Sequence, residues 1–423
     1  MLDVKYIRAN LETVRDGARR KRFEVDLDRI LTLDDERKEI LVELEELRHK
    51  QKVAGKEMAQ LPPDKKEEGR KALGVISDRV KELNDRVKVV VAERDDLLGR
   101  VPSPPAEEVP DGETDADNVE LYQRGTVREF DFEPKDHVTL GLDLGIVDFQ
   151  RSSKIAGSQT YILLREGALL ELAVLRLALD HIVEQGFVPM IVPTLVKYQA
   201  LYGTAYFPGG EEQAYLCDKD NLYLAGTSEV PVTSYHSDEV LDEADLPLRY
   251  AGYSTCYRRE AGAAGRDTKG LYRIHQFNKV EQVIISKNDE EESRRHHDFI
   301  LKNSEQVLEK LEVPYRVVNV CTGDLGMGQI QKFDIECWMP SRGGWGETHS
   351  ASRFHDFQSR RMNLRYRDAD GKMQFCHTLN NTVIATPRVL IAILENHQDA
   401  DGGVTIPKAL VPYMGGRERI EPR

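Results

Sequence analysis

Apolar side chains recur at heptad spacing in two runs between residues 27 and 101. A sustained 3.5-residue period predicts two helices packed along a narrow seam. The first run has seven apolar residues in nine positions: Leu33, Arg37, Ile40, Leu44, Leu47, Gln51, Ala54, Met58 and Leu61. The second has eight in nine: Leu73, Ile76, Val80, Leu83, Val87, Val90, Arg94, Leu97 and Val101. The prolines of Leu61-Pro62-Pro63-Asp64 interrupt a helix, so we predict an antiparallel hairpin over about residues 27–100, each helix roughly 50 Å long.

The chain after this hairpin mixes helix and strand patterns. Residues 101–117 have the proline-rich and acidic composition of a linker. The apolar stretch Gly167 to Gln185 predicts a helix that Gly186 ends. Phe187 to Pro193 predicts an edge or interface strand, because proline is disfavoured inside a sheet. We predict strand-and-turn structure for 272–285 and 349–366, and a strand or loop leading into a helix for 382–397.

Composition narrows the class of protein. Of the 423 residues, 40% are hydrophobic and 31% charged, which is ordinary for soluble proteins of two or three domains. The longest apolar runs are far too short to span a membrane, and the N-terminus lacks the pattern of a signal peptide. The five cysteines are scattered without a C-x-x-C pair, which disfavours zinc fingers and disulfide frameworks. A reducing cytoplasm is therefore expected.

The net charge of −14 argues against nucleic-acid binding, but its distribution changes the picture. Residues 101–423 carry a net charge of −15, whereas residues 48–71 contain eight basic and four acidic side chains. This local excess lies around the predicted turn of the hairpin, where it would attract RNA phosphates. The alternative is a solvated coiled-coil face. The basic residues are Arg48, Lys50, Lys52, Lys56, Lys65, Lys66, Arg70 and Lys71.

The segment Cys256 to Phe277 combines phosphate-binding and base-stacking chemistry. It contains Arg258, Arg259 and Glu260, then a loop with Gly262, Gly265 and Gly270, then Arg273, Ile274 and Phe277. An arginine fork donates parallel hydrogen bonds to phosphate, and glycines let backbone approach a ligand. On composition alone, a surface hairpin with solvated charges is the alternative.

Three shorter pieces carry weaker signals. The segment Glu347-Thr348-His349-Ser350 contains a carboxylate and two hydroxyls that could hold Mg²⁺ and phosphate oxygens, although a polar turn is the more common explanation. Arg388 begins an apolar helix, and a cation is electrostatically disfavoured at a helix N-terminus. Its position there indicates that it faces a bound anion. An ordinary salt bridge is the alternative. Taken singly, the polar side chains of Thr227, Ser228, Glu229 and Glu281 are more often surface groups or caps than ligand contacts.

Together these pieces resemble the three motifs of class II aminoacyl-tRNA synthetases: Gly167–Pro193, Arg258–Phe277 and Arg388. Residues 260–281 read Glu-Ala-Gly-x-x-Gly-x-Asp-Thr-x-Gly-Leu-x-Arg-x-His-Gln-Phe-x-Lys-Val-Glu, which is similar to the seryl-tRNA synthetase family. The N-terminal hairpin and Thr-Ser-Glu at 227–229 also match. One departure is Asn381-Thr382-Val383, where many relatives read Gly-Ser-Gly.

The resemblance implies an α+β fold with an antiparallel sheet flanked by helices. It implies a tRNA-binding domain over 1–105, a catalytic domain over 106–423, and a homodimer formed through 167–193. The implied reaction is ATP-dependent activation of L-serine to seryl-adenylate in the cytoplasm, followed by transfer to tRNA(Ser) and also to tRNA(Sec). Mg²⁺ is implied, and zinc is not expected, because no Cys/His cluster matches a zinc site.

The family also implies roles for individual residues. Arg258 would hold the α-phosphate of ATP, Glu260 would contact the adenine side, and Phe277 would stack on adenine opposite Arg388. The implied ATP and catalytic set is Arg258, Arg259, Glu260, Arg273, Ile274, Phe277, Glu347, Thr348, His349, Ser350 and Arg388, with Glu347 and Ser350 as Mg²⁺ ligands. The implied serine set is Thr227, Ser228, Glu229, Arg258, Glu281 and Thr382.

Two other classes compete with this interpretation. A synthetase-like enzyme that loads a carrier protein would share the ATP motifs but is expected to lack the hairpin. A degenerate, non-enzymatic coiled-coil scaffold is disfavoured by the intact Arg258, Glu260, Phe277, Glu347 and Arg388.

Overall fold

The computed structural model describes residues 1–60, 62, 66–262 and 269–423, which form two compact units, Met1–Pro104 and Pro105–Arg423. The α-helices are α1 Val4–Ala9, α2 Leu11–Arg20, α3 Leu27–Gln60, α4 Lys66–Gly99, α5 His137–Asp143, α6 Phe149–Ala156, α7 Arg165–Glu184, α8 Tyr198–Gly203, α9 Glu229–Thr233, α10 Glu290–Lys310, α11 Phe357–Met362 and α12 Arg388–Asn396. The strands are β1 Val119–Arg124, β2 Val147–Asp148, β3 Ile162–Leu163, β4 Val188–Ile191, β5 Leu195–Val196, β6 Tyr215–Cys217, β7 Leu222–Leu224, β8 Val240–Asp242, β9 Leu248–Tyr257, β10 Gln276–Ser286, β11 Tyr315–Asn319, β12 Gln331–Met339, β13 Gly344–His355, β14 Arg365–Arg367, β15 Met373–Phe375, β16 His377–Ala385, β17 Val404–Thr405 and β18 Arg419–Ile420.

The first unit consists of the helical hairpin and two short helices packed at its base. The predicted hairpin is confirmed: α3 and α4 have 34 residues each, and the seam residues Leu33, Ile40, Leu44, Leu83 and Val90 are buried between them. The predicted seam residue Leu61 lies outside the described residues. Ion pairs spaced by heptads join the two helices across the seam: Arg29–Glu93, Glu36–Arg86 and Glu43–Arg79. We call α3 and α4 the arm.

The two arginines that interrupt the heptad pattern near the base of the arm share one buried carboxylate. The Asp34 side chain is 7% exposed and lies 3.4 Å from Arg94 and 3.8 Å from Arg37. Burial alone would raise the pKa of Asp34, but Lys38 and Arg37 hold it below its usual value. The polar positions are therefore paired across the seam, where an unpaired charge would be costly.

The second unit is built on an eight-stranded sheet with the order β1-β11-β12-β13-β16-β10-β9-β4. All neighbouring pairs are antiparallel except β4 with β9. The predicted strand after Gly186 is confirmed as β4, and it lies at the sheet edge, as Pro189 within it indicates. This sheet, flanked by helices, confirms the predicted α+β class.

Helix α7 confirms the helix predicted at 167–185 and covers part of the sheet. Val174, Ala178 and Ile182 are fully buried in the main core, and Gly186 follows with a φ of 83°. On its other side, Leu172 is 61% exposed. One face of α7 thus packs on the sheet while apolar side chains remain on the opposite face.

The strand-and-turn prediction for 349–366 was wrong at its centre. β13 ends at His355, and the six-residue helix α11 separates it from β14. Phe357 and Met362 are buried, and Asn363 ends the helix with a φ of 54°. A helix of under two turns shows too little periodicity for sequence reasoning to detect.

Two findings bear on the expectations from composition. No helix in the described ranges is long and apolar enough to cross a membrane. All five cysteines are free thiols, four of them buried.

Candidate active site

One cavity of about 210 Å³ lies over the sheet where β10, β13, β16 and the start of α12 meet. Side chains on one face of a strand alternate, so Phe277, Lys279 and Glu281 of β10 all reach it. A bulge after Val280 places Glu281 opposite Thr382 of β16. The predicted residues in its wall are Glu229, Arg258, Glu260, Ile274, Phe277, Glu281, Glu347, Thr348, His349, Ser350, Thr382 and Arg388.

Arginine and aromatic side chains form one end of this cavity. The Arg258 guanidinium carbon lies 5.2 Å from the centre of the Phe277 ring. The Arg388 guanidinium lies instead 4.4 Å from the centre of the Tyr272 ring, and its Nε donates to the Tyr272 carbonyl at 3.1 Å. Two cations and two flat rings therefore line the same space, an arrangement suited to a nucleotide with phosphates.

Acidic and hydroxyl groups lie beside Arg388. Its Nη1 donates to the Glu347 carbonyl at 2.8 Å and contacts the Glu347 carboxylate at 3.2 Å. Burial would raise the pKa of Glu347, but Arg388 and Lys332 keep it below its usual value, so the carboxylate is charged. Ser350 follows on the same strand and lines the same cavity.

The oxygen donors of Glu347 and Ser350 fit a hard divalent cation. Mg²⁺ prefers one or two carboxylates together with substrate phosphates over an all-protein cage. Within the described residues, no group of three or more His, Cys, Asp or Glu side chains could hold a metal ion. The donor set suits a cation that arrives with a phosphorylated ligand.

Two carboxylates and one ammonium form the other end. Lys279 Nζ lies 2.6 Å from Glu281 and 2.5 Å from the Thr227 hydroxyl. The Thr382 hydroxyl donates to Glu281 at 3.2 Å. Glu229 lies at the start of α9 and is 6% exposed. With two acids and one base, this cluster has an excess of negative charge.

Glu229 is held by neutral hydrogen-bond donors. Its carboxylate accepts from the Tyr206 hydroxyl at 3.1 Å and from Gln358 Nε2 at 2.9 Å. The Gln358 carbonyl in turn accepts from Thr378 at 2.6 Å. Burial, followed by the nearby charge of Glu281, raises the pKa of Glu229 to about 7. A small ligand with an ammonium group would stabilise the ionised form of Glu229.

A second cavity of about 520 Å³ adjoins the first and shares Tyr206, Arg258 and Glu260 with it. Arg273 lines this second cavity, where it pairs with Glu260 at 2.6 Å. Glu260 has a φ of 52°, an uncommon backbone conformation for a residue other than glycine. Gly265, which is predicted to belong to the loop with Gly262 and Gly270, lies outside the described residues.

Several predicted residues do not present free polar groups to the first cavity. Ser228 is buried and donates to the Gly252 carbonyl at 2.9 Å, and Arg259 is exposed outside both cavities. The Thr227 hydroxyl accepts a hydrogen bond from Lys279 Nζ. Thr348 donates to the Ile335 carbonyl, and His349 Nε2 bonds the Val383 carbonyl at 3.1 Å. Burial lowers the pKa of His349 to about 4, so its imidazole is neutral.

Sequence reasoning missed some wall residues, including Tyr206, Tyr272, Lys279 and Asn380, and also Gln358, which lies behind Glu229. The two-residue alternation of Phe277, Lys279 and Glu281 could have identified Lys279. Tyr206 and Gln358 come from segments without a recognisable pattern, and only the fold brings them to Glu229.

The basic residues of the arm are mostly exposed. Lys66 is partly buried, and Lys65 lies outside the described residues. The exposed ones are Arg48, Lys50, Lys52, Lys56, Arg70 and Lys71. Among the described residues of the arm, Arg48 donates to Asn84 at 3.1 Å, and Lys71 lies 3.8 Å from Glu67.

Comparisons with known proteins agree over the whole chain. A family model described as the seryl-tRNA synthetase N-terminal domain matches residues 1–105, and one described as the class II tRNA synthetase core domain (G, H, P, S and T) matches 215–397. The chain is 44% identical to Serine--tRNA ligase of Deinococcus radiodurans, covering 99% of this chain and 98% of that protein.

Solved structures give the same match. Seryl-tRNA synthetase from Pyrococcus horikoshii complexed with ATP superimposes with a TM-score of 0.92 at 40% identity, covering both chains fully. The cytoplasmic Serine-tRNA ligase of Naegleria fowleri in complex with AMP gives 0.87 at 29% identity, covering 100% of this chain and 99% of that one.

Proposed function

Because this chain belongs to the seryl-tRNA synthetase family, we propose that the cavity of the second unit is its active site, with a nucleotide end and a serine end. The activity of the family is the ATP-dependent activation of L-serine and the charging of tRNA(Ser). The observation that carries the proposal is the shared cavity of Arg258, Phe277 and Arg388, which are far apart in sequence.

At the nucleotide end, Phe277 provides the face on which adenine stacks. Arg258 lies over the same ring and binds the α-phosphate. Arg388 lies on the other face of adenine and reaches the outer phosphates. Glu260 contacts the adenine side. Both guanidinium groups already make hydrogen bonds, Arg258 Nε to the Gly226 carbonyl at 3.3 Å and Arg388 Nε to the Tyr272 carbonyl, so less side-chain freedom is lost when ATP binds.

Glu347 and Ser350 would hold Mg²⁺ together with the phosphates of ATP, and the bound cation would supply charge neutralisation to the phosphate oxygens. Glu347 is already ionised beside Arg388, which suits a ligand that must be anionic. Thr348 and His349 do not contact the ligands in this proposal. Their side chains bond the carbonyls of Ile335 and Val383 and so hold β13 against β12 and β16.

At the serine end, Glu229 and Glu281 surround the ammonium group. The Thr382 hydroxyl lies beside Glu281, within reach of the serine hydroxyl. A substrate without that hydroxyl would leave buried polar groups unpaired, which disfavours alanine. Thr227 acts through Lys279, which balances one of the two carboxylates.

The reaction requires no protein nucleophile. The serine carboxylate attacks the α-phosphorus, the bond to the bridging oxygen breaks, and pyrophosphate leaves with its electron pair. Arg258 and Arg388 neutralise the charge that spreads over the phosphate oxygens. In the second step a terminal hydroxyl of tRNA attacks the carbonyl carbon of the adenylate, and AMP leaves.

We propose that the exposed apolar side of α7 and β4 forms a homodimer interface within residues 167–193. Leu172 is 61% exposed, Val188 55% and Ile191 90%. Contiguous exposed apolar side chains usually mark a surface that another protein covers. A second copy of the chain would bury this surface.

The basic residues of the arm bind tRNA through its phosphates. Such contacts read RNA shape more than sequence, so the proposal includes tRNA(Sec) beside tRNA(Ser). The free thiols are in keeping with a cytoplasmic site of action.

Amino-acid-dependent exchange of pyrophosphate into ATP, across a panel of amino acids, tests the active-site proposal. We expect exchange with serine alone. Phe277→Leu should raise KM for ATP and leave KM for serine nearly unchanged, whereas Glu281→Gln should do the reverse. If both variants shifted both constants equally, the division into two ends would be wrong.

A further inference from the structure

A buried histidine connects two parts of the second unit that the nucleotide site needs. His137 is the first residue of α5, and its ring lies between the backbone of Leu271 and the carboxylate of Glu395. Nε2 accepts from the Leu271 N–H at 3.1 Å. Because an amide nitrogen only donates, Nδ1 must carry the ring proton and donate to Glu395, 2.8 Å away.

Glu395, on α12, is fully buried and saturated with donors. Besides Nδ1, it accepts from the His137 backbone N–H at 3.0 Å, and from the N–H and hydroxyl of Ser341 at 2.9 and 2.8 Å. Four donors hold the carboxylate without a formal cation. The His137 ring therefore has a fixed position relative to α12.

The chain on the other side of the ring approaches unusually closely. Gly270 has a φ of 70°, and a Cβ atom there would lie 2.2 Å from His137 Nε2. Beside it, Lys269 forms an ion pair with Asp136 at 2.8 Å. Burial would raise the pKa of Asp136, but Lys269 and the Thr139 amide hold it well below its usual value. The segment 269–271 is thus attached to the start of α5.

The next residue, Tyr272, links this attachment to the proposed nucleotide site. Its carbonyl accepts from Arg388 Nε, and its ring lies under the guanidinium groups of both Arg388 and Arg342, each at 4.4 Å. Arg388 is the first residue of α12, and Glu395 lies seven residues later on the same helix. His137 therefore closes a ring of contacts through Leu271, Tyr272, Arg388 and back to Glu395.

From this geometry we propose that His137 is a positioning residue for ATP binding, an inference that rests on the nucleotide role proposed for Arg388. The His137 ring fixes the position of the Leu271 backbone. This in turn fixes the carbonyl and ring of Tyr272, which orient Arg388. The histidine does not line either cavity and touches no substrate. The serine end shares none of these contacts, so its affinity is independent of His137.

Two isosteric replacements separate the two hydrogen bonds of the ring. In His137→Asn the amide nitrogen takes the place of Nδ1 and keeps the bond to Glu395, but nothing reaches Leu271. In His137→Gln the carbonyl has the reach of Nε2 and can accept from Leu271. We expect His137→Asn to raise KM for ATP about five- to tenfold in pyrophosphate exchange, since one buried hydrogen bond is lost. KM for serine should stay within twofold, and His137→Gln should restore KM for ATP.

A matched control separates positioning from loss of stability. His397 follows α12, and its Nε2 bonds the Leu311 carbonyl at 3.0 Å, away from both cavities. His397→Asn should lower the melting temperature and leave both KM values unchanged. If folded His137→Asn behaved like this control, or if His137→Gln matched His137→Asn, the inference would be overturned.

A second variant decides the matter should His137→Asn fail to fold. Gly270→Ala places a methyl group against the His137 ring and Val138 from the loop side, so the contact between this loop and the start of α5 must shift, while α12 is not contacted. A selective rise in KM for ATP supports the inference, and an unchanged KM for ATP overturns it. Failure of the proposed function is a separate result, because the wild-type chain would then show no serine-dependent exchange.

Discussion

The replacement of Glu229 by glutamine removes a buried charge from the serine end while preserving the size of the side chain. The pKa of Glu229 is raised from 4.5 to about 7 by burial and by Glu281. A raised pKa means that the folded protein binds the proton more tightly than the unfolded chain does. The stabilising contribution of the carboxyl group is therefore complete below pH 4.5 and is lost as the pH rises through 7.

The magnitude follows from the shift. Each pKa unit corresponds to about 1.4 kcal/mol, so the ionised carboxylate costs the folded state about 1 kcal/mol at pH 5.5 and about 3 kcal/mol at pH 8.5. Glutamine is neutral at both pH values. We expect Glu229→Gln to be more stable than wild type at pH 8.5, with the advantage growing by about 2 kcal/mol between the two pH values. In a unit of this size that is roughly 3 °C in Tm.

The assay is thermal unfolding of both proteins at pH 5.5 and 8.5 without ligands. The difference in unfolding free energy between the two proteins cancels the contribution of all other titrating groups. At pH 5.5 this difference contains most of the effects of the amide that do not depend on charge. A stability difference that stays constant with pH would refute the idea that Glu229 is a strained, ionisable carboxylate.

The same group should govern serine affinity. In wild type, KM for serine should rise as the pH falls below 7, because the carboxylate that faces the ammonium becomes protonated. Glu229→Gln should raise KM for serine about tenfold or more at pH 8.5 and remove this pH dependence, since a charge-assisted hydrogen bond is lost. Stability gained at the expense of substrate binding is typical of functional sites.

Three further predictions follow. Arg388→Lys loses the planar fork and the stack on Tyr272, and should lower kcat/KM for ATP in exchange about 100-fold, or about 3 kcal/mol, without changing KM for serine. Ile191→Asp should halve the molar mass in light scattering, whereas an unchanged mass would contradict the proposed dimer face. The double variant Lys50→Glu, Lys52→Glu should reduce tRNA charging at least about tenfold and spare pyrophosphate exchange. Lys88→Glu, on the arm but outside the basic excess, is the matched control and should leave both reactions intact.

The arm could be predicted from sequence because heptad periodicity is a local property. Each seam position depends only on residues three or four places away, and Arg37 and Arg94 stand out as exceptions without obscuring the period. Their shared partner Asp34 could not be predicted, since it requires the register between the helices. The short helix α11 was missed because six residues do not establish a period.

The site was predictable where residue types cluster in sequence and less so where the fold assembles them. The arginines and Phe277 carry a recognisable pattern. The contact of Thr382 with Glu281 depends on a bulge in β16 at Val383, and the support of Glu229 by Gln358 depends on α11 packing beside β16. The stack of Arg388 on Tyr272 likewise depends on the course of the backbone after Gly270.

The pairing of Arg29, Glu36 and Glu43 with partners exactly opposite on α4 limits how the length of the arm can change. An insertion of one residue in α3 alone would rotate everything beyond it by about 100° and expose the seam. Matched insertions of seven residues in both helices preserve the seam. Arm length is thus restricted to increments of about 10 Å, so two such proteins should differ in reach by whole heptads.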